Sequence, residues 1–316
     1  MTELRAGGDE RPEGWTDTNA ASAGAEETEG AETAMGIGTA SAGTRFAVAP
    51  FDMVQDLCGD PCSAGLVAFM AGNQFMVMPD LIASFVGQTG FAGGVYYETL
   101  PPGVLVEQLR SGGLDMGLLR LTVRPDTLAA SPAALDRLKA EGLVGDHQEY
   151  ATNELEMLVR EGNPQGIEKL ADLDRPGLRV ALPEPATEGV GRLVQAALVE
   201  AGGEELLRRL TREKLEAGET LMNTIHHRES PVWLQDGTVD VALAWATEAR
   251  FHERSGHGIE GVRIAAEHNQ QGHYAIAPVA GASHPDAASA FIQFLRGATA
   301  QDLYRKYGFQ PPSPKG

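Results

Sequence analysis

From Leu66 onward, short apolar runs alternate with longer stretches whose apolar residues recur at helical spacing. "LVAFMAG" is a buried-strand pattern ending in glycine, and "NQFMVMPDLIASFVGQTG" follows at helical period, with Asn73 at the expected N-cap. "VYYETL" reads as the next strand, broken by Pro101-Pro102-Gly103, and "VLVEQLRSGG" reads as a helix stopped by glycine. "LDMGLLRL" predicts a single strand, Ser131 to Glu141 a helix, "LEMLVREG" a strand and "IEKLADL" a short helix. "LRVALPEP" repeats the strand-then-turn theme ahead of the helix "GVGRLVQAALVEAG". "VDVALAW" is a further strand, and "DAASAFIQFLRG" with "AQDLYRKYGF" closes the chain in helix. Strand alternating with helix implies α/β architecture, with mostly parallel sheets flanked by helices. No internal repeat is visible.

Residues 1 to about 50 break the pattern. They are rich in Ala, Gly, Thr and Glu, have nine acidic residues against three basic ones, and show no apolar periodicity. Such a segment buries too little apolar surface to offset its ordering entropy and is expected to be a disordered acidic tail. The whole chain of 316 residues exceeds one typical domain, so two lobes are expected. No apolar run approaches a membrane span, and the start lacks the basic and apolar regions of a secretory signal, which suggests a cytoplasmic protein if translation begins there.

A net charge of -19 argues against nucleic acid and acidic membrane surfaces as partners, because such a surface repels phosphate. The only two cysteines, Cys58 and Cys62 in "CGDPC", rule out a disulfide framework and fit neither a zinc nor a haem motif. Two incidental loop thiols are the simplest reading, a short disulfide or redox pair the other. "HERSGH" at 252–257 has three residues between Glu253 and His257, one too many for a zinc-protease helix, and reads as an exposed helix end stopped by Gly256. No G-x-S-x-G or phosphate loop occurs, and "GVG" at 189–191 falls short of a dinucleotide fingerprint. No cofactor and no metal are expected. The run Phe75 to Met78 reads as core.

In open α/β sheets, ligands bind beyond the carboxyl ends of strands, at helix N-termini. Junctions of this kind fall at Gly72-Asn73-Gln74, at Glu98 to Gly103, and at Glu184 to Gly191. A fourth is "NTIHHRES", where Arg228-Glu229-Ser230-Pro231 opens a helix and the dipole together with the Arg228 fork favours an anion. A solvated salt-bridging loop and metal ligation by His226 and His227 are the competing readings of that cluster.

The segment "YATNELEMLVREGNPQGIEKLADLDRPGLRVALPEPATEGVGRLVQAAL", the opening "LVAFMAGNQF…LIASF" and the closing "HPDAASAFIQFLRGATAQDLYRKYGF" resemble, in order, the molybdate-type periplasmic solute-binding proteins. The resemblance runs from about Leu66 to Phe309. It implies a type II periplasmic-binding-protein fold: two α/β lobes, 64–152 with 276–316 and 153–275, joined by a hinge and closing on a small anion. It also implies a monomer outside the cytoplasm that hands its ligand to an ABC permease. Within it, Asn73 matches a serine that holds the oxyanion, with Gln74 beside it, and Pro102-Gly103 falls where a second serine is common. Ala186, Thr187 and Glu188 lie in a loop offering backbone donors; Glu188 also resembles a carboxylate placed against the metal of the anion. Trp245 matches a tyrosine, and His227 falls where a small residue donates its N–H. The loss of both serines and the gain of His226, His227, Arg228 and Trp245 point to a larger or organic anion, such as a carboxylate. The expected function is thus anion capture for uptake. A cytoplasmic ligand sensor is the alternative, and an enzyme is a third reading that no nucleophile–base motif supports.

Overall fold

The computed structural model describes residues 56–116, 119–186, 189–223 and 229–312. The expected tail, Thr187, Glu188, His226, His227 and Arg228 lie outside the described residues.

In the first part of the chain stand β1 (Leu57–Cys58), β2 (Leu66–Phe69), α1 (Met78–Thr89), β3 (Val95–Glu98), α2 (Pro102–Ser111), β4 (Leu114–Met116), β5 (Leu119–Leu121), β6 (Thr127–Ala130) and α3 (Pro132–Ala140). The middle holds β7 (Gln148–Arg160), β8 (Val180–Leu182), α4 (Gly189–Arg208), β9 (Thr220–Met222), α5 (Glu229–Gln235), β10 (Val241–Trp245) and α6 (Ala246–Arg254). β11 (Ile259–Arg263), β12 (Gln271–Pro278), α7 (Pro285–Arg296) and α8 (Ala298–Tyr307) complete the order.

Among the described residues one sheet runs β1–β3–β2–β6–β12–β7–β10–β8–β9, with β11 also paired to β7. Apart from β1, which pairs antiparallel with β3, its two wings are parallel: β2 pairs with β3 and β6, and β8 with β9 and β10. The middle is antiparallel, where β12 meets β6 and β7, and β10 meets β7. The 13-residue β7 joins the wings: its first half, to Glu154, pairs with β12, and its second half, from Leu155, pairs with β10. Sequence reading detects only "LEMLVREG" of this strand, because the polar Asn153 and Glu154 interrupt the apolar run at the point where the strand passes from one wing to the other.

One apolar core runs from Leu66, Phe85 and Phe291 through Tyr150 and Leu155 to Val180 and Leu198. Smaller cores lie around Phe69, Leu100 and Leu128, and around Leu158, Leu234 and Ala242. Each wing is therefore a sheet packed between helical layers, as the alternating pattern requires. Phe75, Met76, Val77 and Met78 are all buried, in agreement with their reading as core.

Two local expectations are corrected. Asn73 is not the cap of α1: it lies in a separate 3-10 turn, Gly72–Gln74, and α1 starts at Met78 after Val77. Pro79 explains the delay, since a residue without an N–H fits the first helical turn and not a position two turns inside. "LDMGLLRL" is two short strands, β4 and β5, paired to each other with Leu114 opposite Leu121; Gly117 sits mid-run, where a strand is weakest. The short helix expected at "IEKLADL" is a 3-10 helix, Leu170–Asp174. Cys58 and Cys62 are not joined in a disulfide.

Candidate functional site

A cavity of about 590 Å³ opens between the wings. The turn after β2 and the starts of α2 and α3 line it from one side, the start of α4 and the end of β10 from the other, and the first half of β12 at the crossover. Each of these is a strand-to-helix junction or the strand connecting them, the place where an open α/β sheet exposes unpaired N–H groups.

The electrostatics of the lining run against those of the chain. Among the described residues that line the cavity there is no Asp or Glu, while Arg137, Arg192 and His273 are present. None of α2, α3 and α4, which open onto the cavity, carries an acidic residue in its first turn. By contrast α1, α5 and α7 carry Asp80, Glu229 and Asp286 there; α6, whose N-cap residue Trp245 also lines the cavity, carries Glu248 in its first turn, buried and outside the lining. A first-turn carboxylate neutralises the positive end of the helix dipole. At α2, α3 and α4 that positive end is left to face the opening. Ser131 caps α3, its hydroxyl accepting from the Ala134 N–H at 3.4 Å, so its own proton remains a donor at the cavity wall.

Behind the opening lies a buried polar network. Asn73, 3 % exposed, donates from Nδ2 to the Tyr274 hydroxyl at 2.5 Å, and Asn153 also hydrogen-bonds that hydroxyl. Burial pushes the Tyr274 hydroxyl well above its ordinary range, and the two amide donors only partly oppose it. The hydroxyl therefore keeps its proton, receives two N–H groups and has an O–H to offer at the cavity wall. Asn153 Nδ2 also donates to Thr247 Oγ1 at 2.9 Å, which ties the crossing point of β7 to the first turn of α6.

Trp245, at the end of β10, is 8 % exposed and caps the start of α6. Its indole lies over Gly272 and 5.9 Å from the Tyr274 ring. A Cβ at position 272 would fall 2.3 Å from the indole Cη2, so the absence of a side chain there is what lets the ring approach β12 this closely.

Of the residues expected from the sequence, Asn73 and Trp245 line this cavity together. Gly103 follows Pro102, a lining residue, at the exposed start of α2. Gln74 is placed differently: it is fully buried, donates from Nε2 to the Tyr150 hydroxyl and accepts from the Tyr304 hydroxyl at 3.0 Å. Its amide is occupied at both ends, and it is not among the residues that line the cavity. Ala186 is exposed, and its N–H donates to Glu184 Oε1 at 3.1 Å, so that backbone donor is already engaged. Arg137, Arg192, Ser131, His273 and Tyr274 escape sequence reading. One signal was available: Arg192 stands in the first turn of α4, where the helix dipole disfavours a cation unless an anion is near. His252 and His257 meet, Nδ1 to Nδ1 at 2.9 Å, but no group of three metal-ligating side chains occurs among the described residues.

The chain is similar in sequence and in fold to known binding proteins. A sulfate-binding protein of Synechococcus elongatus is 26% identical over 211 residues, which cover 65% of this chain and 60% of that protein. The molybdate-binding protein ModA of Mycobacterium bovis is 26% identical over 225 residues, 69% of this chain and 78% of that one. The solved structure of the sulfate-binding protein SubI of Mycobacterium tuberculosis superposes with a TM-score of 0.62 at 23% identity, covering 79% of this chain and 86% of that one. No helix among the described residues is long and apolar enough to cross a membrane. The bacterial extracellular solute-binding proteins match residues 66–310, and the chain belongs to that family.

Proposed function

We propose that the chain captures a small anion in the cleft between two lobes, 64–152 with 276–316 and 153–275, and delivers it outside the cytoplasm, as a monomer, to an ABC permease. The observation that carries this reading is the cavity itself: in a chain of net charge -19, the described lining holds arginine, histidine and three acid-free helix starts, and no carboxylate. The relatives named for sulfate and molybdate binding support the same ligand class. Binding without chemistry is proposed, because the described lining offers donors and walls but no nucleophile held against a base.

Thermal unfolding of the full chain with sulfate, molybdate and small carboxylates tests the reading. A ligand at 100 times its dissociation constant adds about 2.7 kcal/mol, roughly 5 to 10 °C in Tm for a protein of this size. A melt that responds to divalent cations and to none of the anions would refute it.

A further inference from the structure

We infer that the ligand is an organic anion, its acidic group held between Arg137 and Arg192 and its apolar body laid against Trp245. The inference rests on the anion-binding reading above and narrows it.

Size is the first ground. A water molecule occupies roughly 30 Å³ of liquid, and a tetrahedral oxyanion is about two waters in volume. The cavity, at about 590 Å³, holds roughly ten times that. It falls in the range of ~300 to 1,000 Å³ that pockets for larger organic ligands occupy.

The walls are the second ground. Val190 and Leu193 on α4, Pro101 and Pro132 opposite, and the Trp245 indole give the lining its apolar faces. A bare oxyanion gains nothing from apolar walls, whereas a hydrocarbon or aromatic body gains roughly 25 cal/mol for each Å² it removes from water. The indole is also fixed in place by Gly272 beneath it and Tyr274 beside it, so it is a prepared surface.

Charge placement is the third. Arg137 projects from α3 on one wing and Arg192 from α4 on the other, and both line the cavity. Arg192 donates Nη1 to the Pro185 carbonyl at 3.0 Å, which anchors its guanidinium and leaves its other N–H groups for a ligand. Paired guanidinium forks suit the planar carboxylate or the phosphate of an ester. Tyr274, 6 % exposed with its hydroxyl proton uncommitted to Asn73 or Asn153, supplies a further donor from the floor.

Isothermal titration of the full chain with sodium sulfate, sodium molybdate, phthalate and phenyl phosphate tests this. At least one of the two organic anions should bind tenfold or more tighter than either inorganic one. Trp245→Ala should weaken that organic anion at least tenfold and change sulfate or molybdate binding less than threefold. Arg137→Ala and Arg192→Ala should each weaken it by tens of fold; both side chains are exposed, so these variants carry the test even if Trp245→Ala fails to fold. Tighter binding of sulfate or molybdate than of both organic probes overturns the inference and leaves anion capture standing. So does organic binding that is unchanged in both arginine variants. Failure of all four anions to bind overturns the inference and the anion-binding reading together.

Discussion

Glu98 ends β3 fully buried, and both of its hydrogen bonds, from the Tyr96 hydroxyl and from Gln108 Nε2 at 3.0 Å each, fall on Oε1. Oε2 has no hydrogen-bond partner. Burial pushes the carboxyl from 4.5 up to about 7, with the two donors only partly opposing it. The folded state therefore binds a proton that the unfolded chain releases near pH 4.5. The stabilisation is complete below that value and is lost as pH rises through about 7, by roughly 3 kcal/mol in total at 1.36 kcal/mol for each pH unit. Glu98→Gln keeps an acceptor for both donors and removes the titration. Urea unfolding at pH 5 and pH 8 should show the variant more stable than the parent at pH 8 and no such advantage at pH 5. At the cavity, Gly272→Ala would set a Cβ 2.3 Å from the Trp245 ring and displace it. The expected cost is about 1 to 3 kcal/mol of stability, with weaker anion binding alongside, read by denaturant titration and calorimetry on the same preparation.

Asp240 ties three strands together. It accepts from the Arg179 N–H at 2.9 Å, from Arg179 Nε and Nη2 at 3.1 and 3.0 Å, and pairs with Arg160 at 3.7 Å, joining the leads into β8 and β10 to the end of β7. Burial alone would raise its carboxyl, but the hydrogen bonds and charge of Arg179, with the charge of Arg160, outweigh it and hold the group below 3.8. Its contribution is therefore present above pH 3.8 and is lost as pH falls through the lower folded value. Asp240→Ala should cost about 1.5 to 3 kcal/mol, since charge-assisted bonds break while the arginines keep access to water, and chemical denaturation near pH 7 measures it. Elements with an unbroken pattern were legible from sequence: β2 and β10 are continuous apolar runs buried on both faces, and α2, α7 and α8 each bury one face. The middle of β7 was hidden because Asn153 is buried for its bonds to Thr247 and Tyr274, partners 94 residues or more away in sequence. For the same reason the cavity was only half legible. Asn73 and Trp245 announce themselves as polar or aromatic residues at junctions, whereas Arg137 and Arg192 look like the solvated face of a helix until α3 and α4 are brought opposite each other.

Across the whole molecule, the two parallel wings meet at β7 and β12, and the cavity lies at that meeting. Behind it, Tyr274, Tyr150, Tyr304 and Phe309 form an aromatic chain with centroid spacings of 5.3 to 6.4 Å, linking the cavity floor to the end of α8. Gln74 spans Tyr150 and Tyr304 within it, so a fully packed support fixes the floor. Gln74→Leu should strand two buried hydroxyls and lower stability by about 1 to 3 kcal/mol per group left unpaired, with anion affinity falling only as far as the floor shifts; paired unfolding and binding curves separate the two effects. An anion held in this cleft would be seen in a crystal structure of the full chain with its tightest-binding anion. Density for the acidic group should lie between Arg137 and Arg192, within hydrogen-bond reach of Tyr274, with the rest of the ligand on Trp245. Density for the anion elsewhere, such as beside His252 and His257, with the cleft holding only solvent, would contradict anion capture in the cleft.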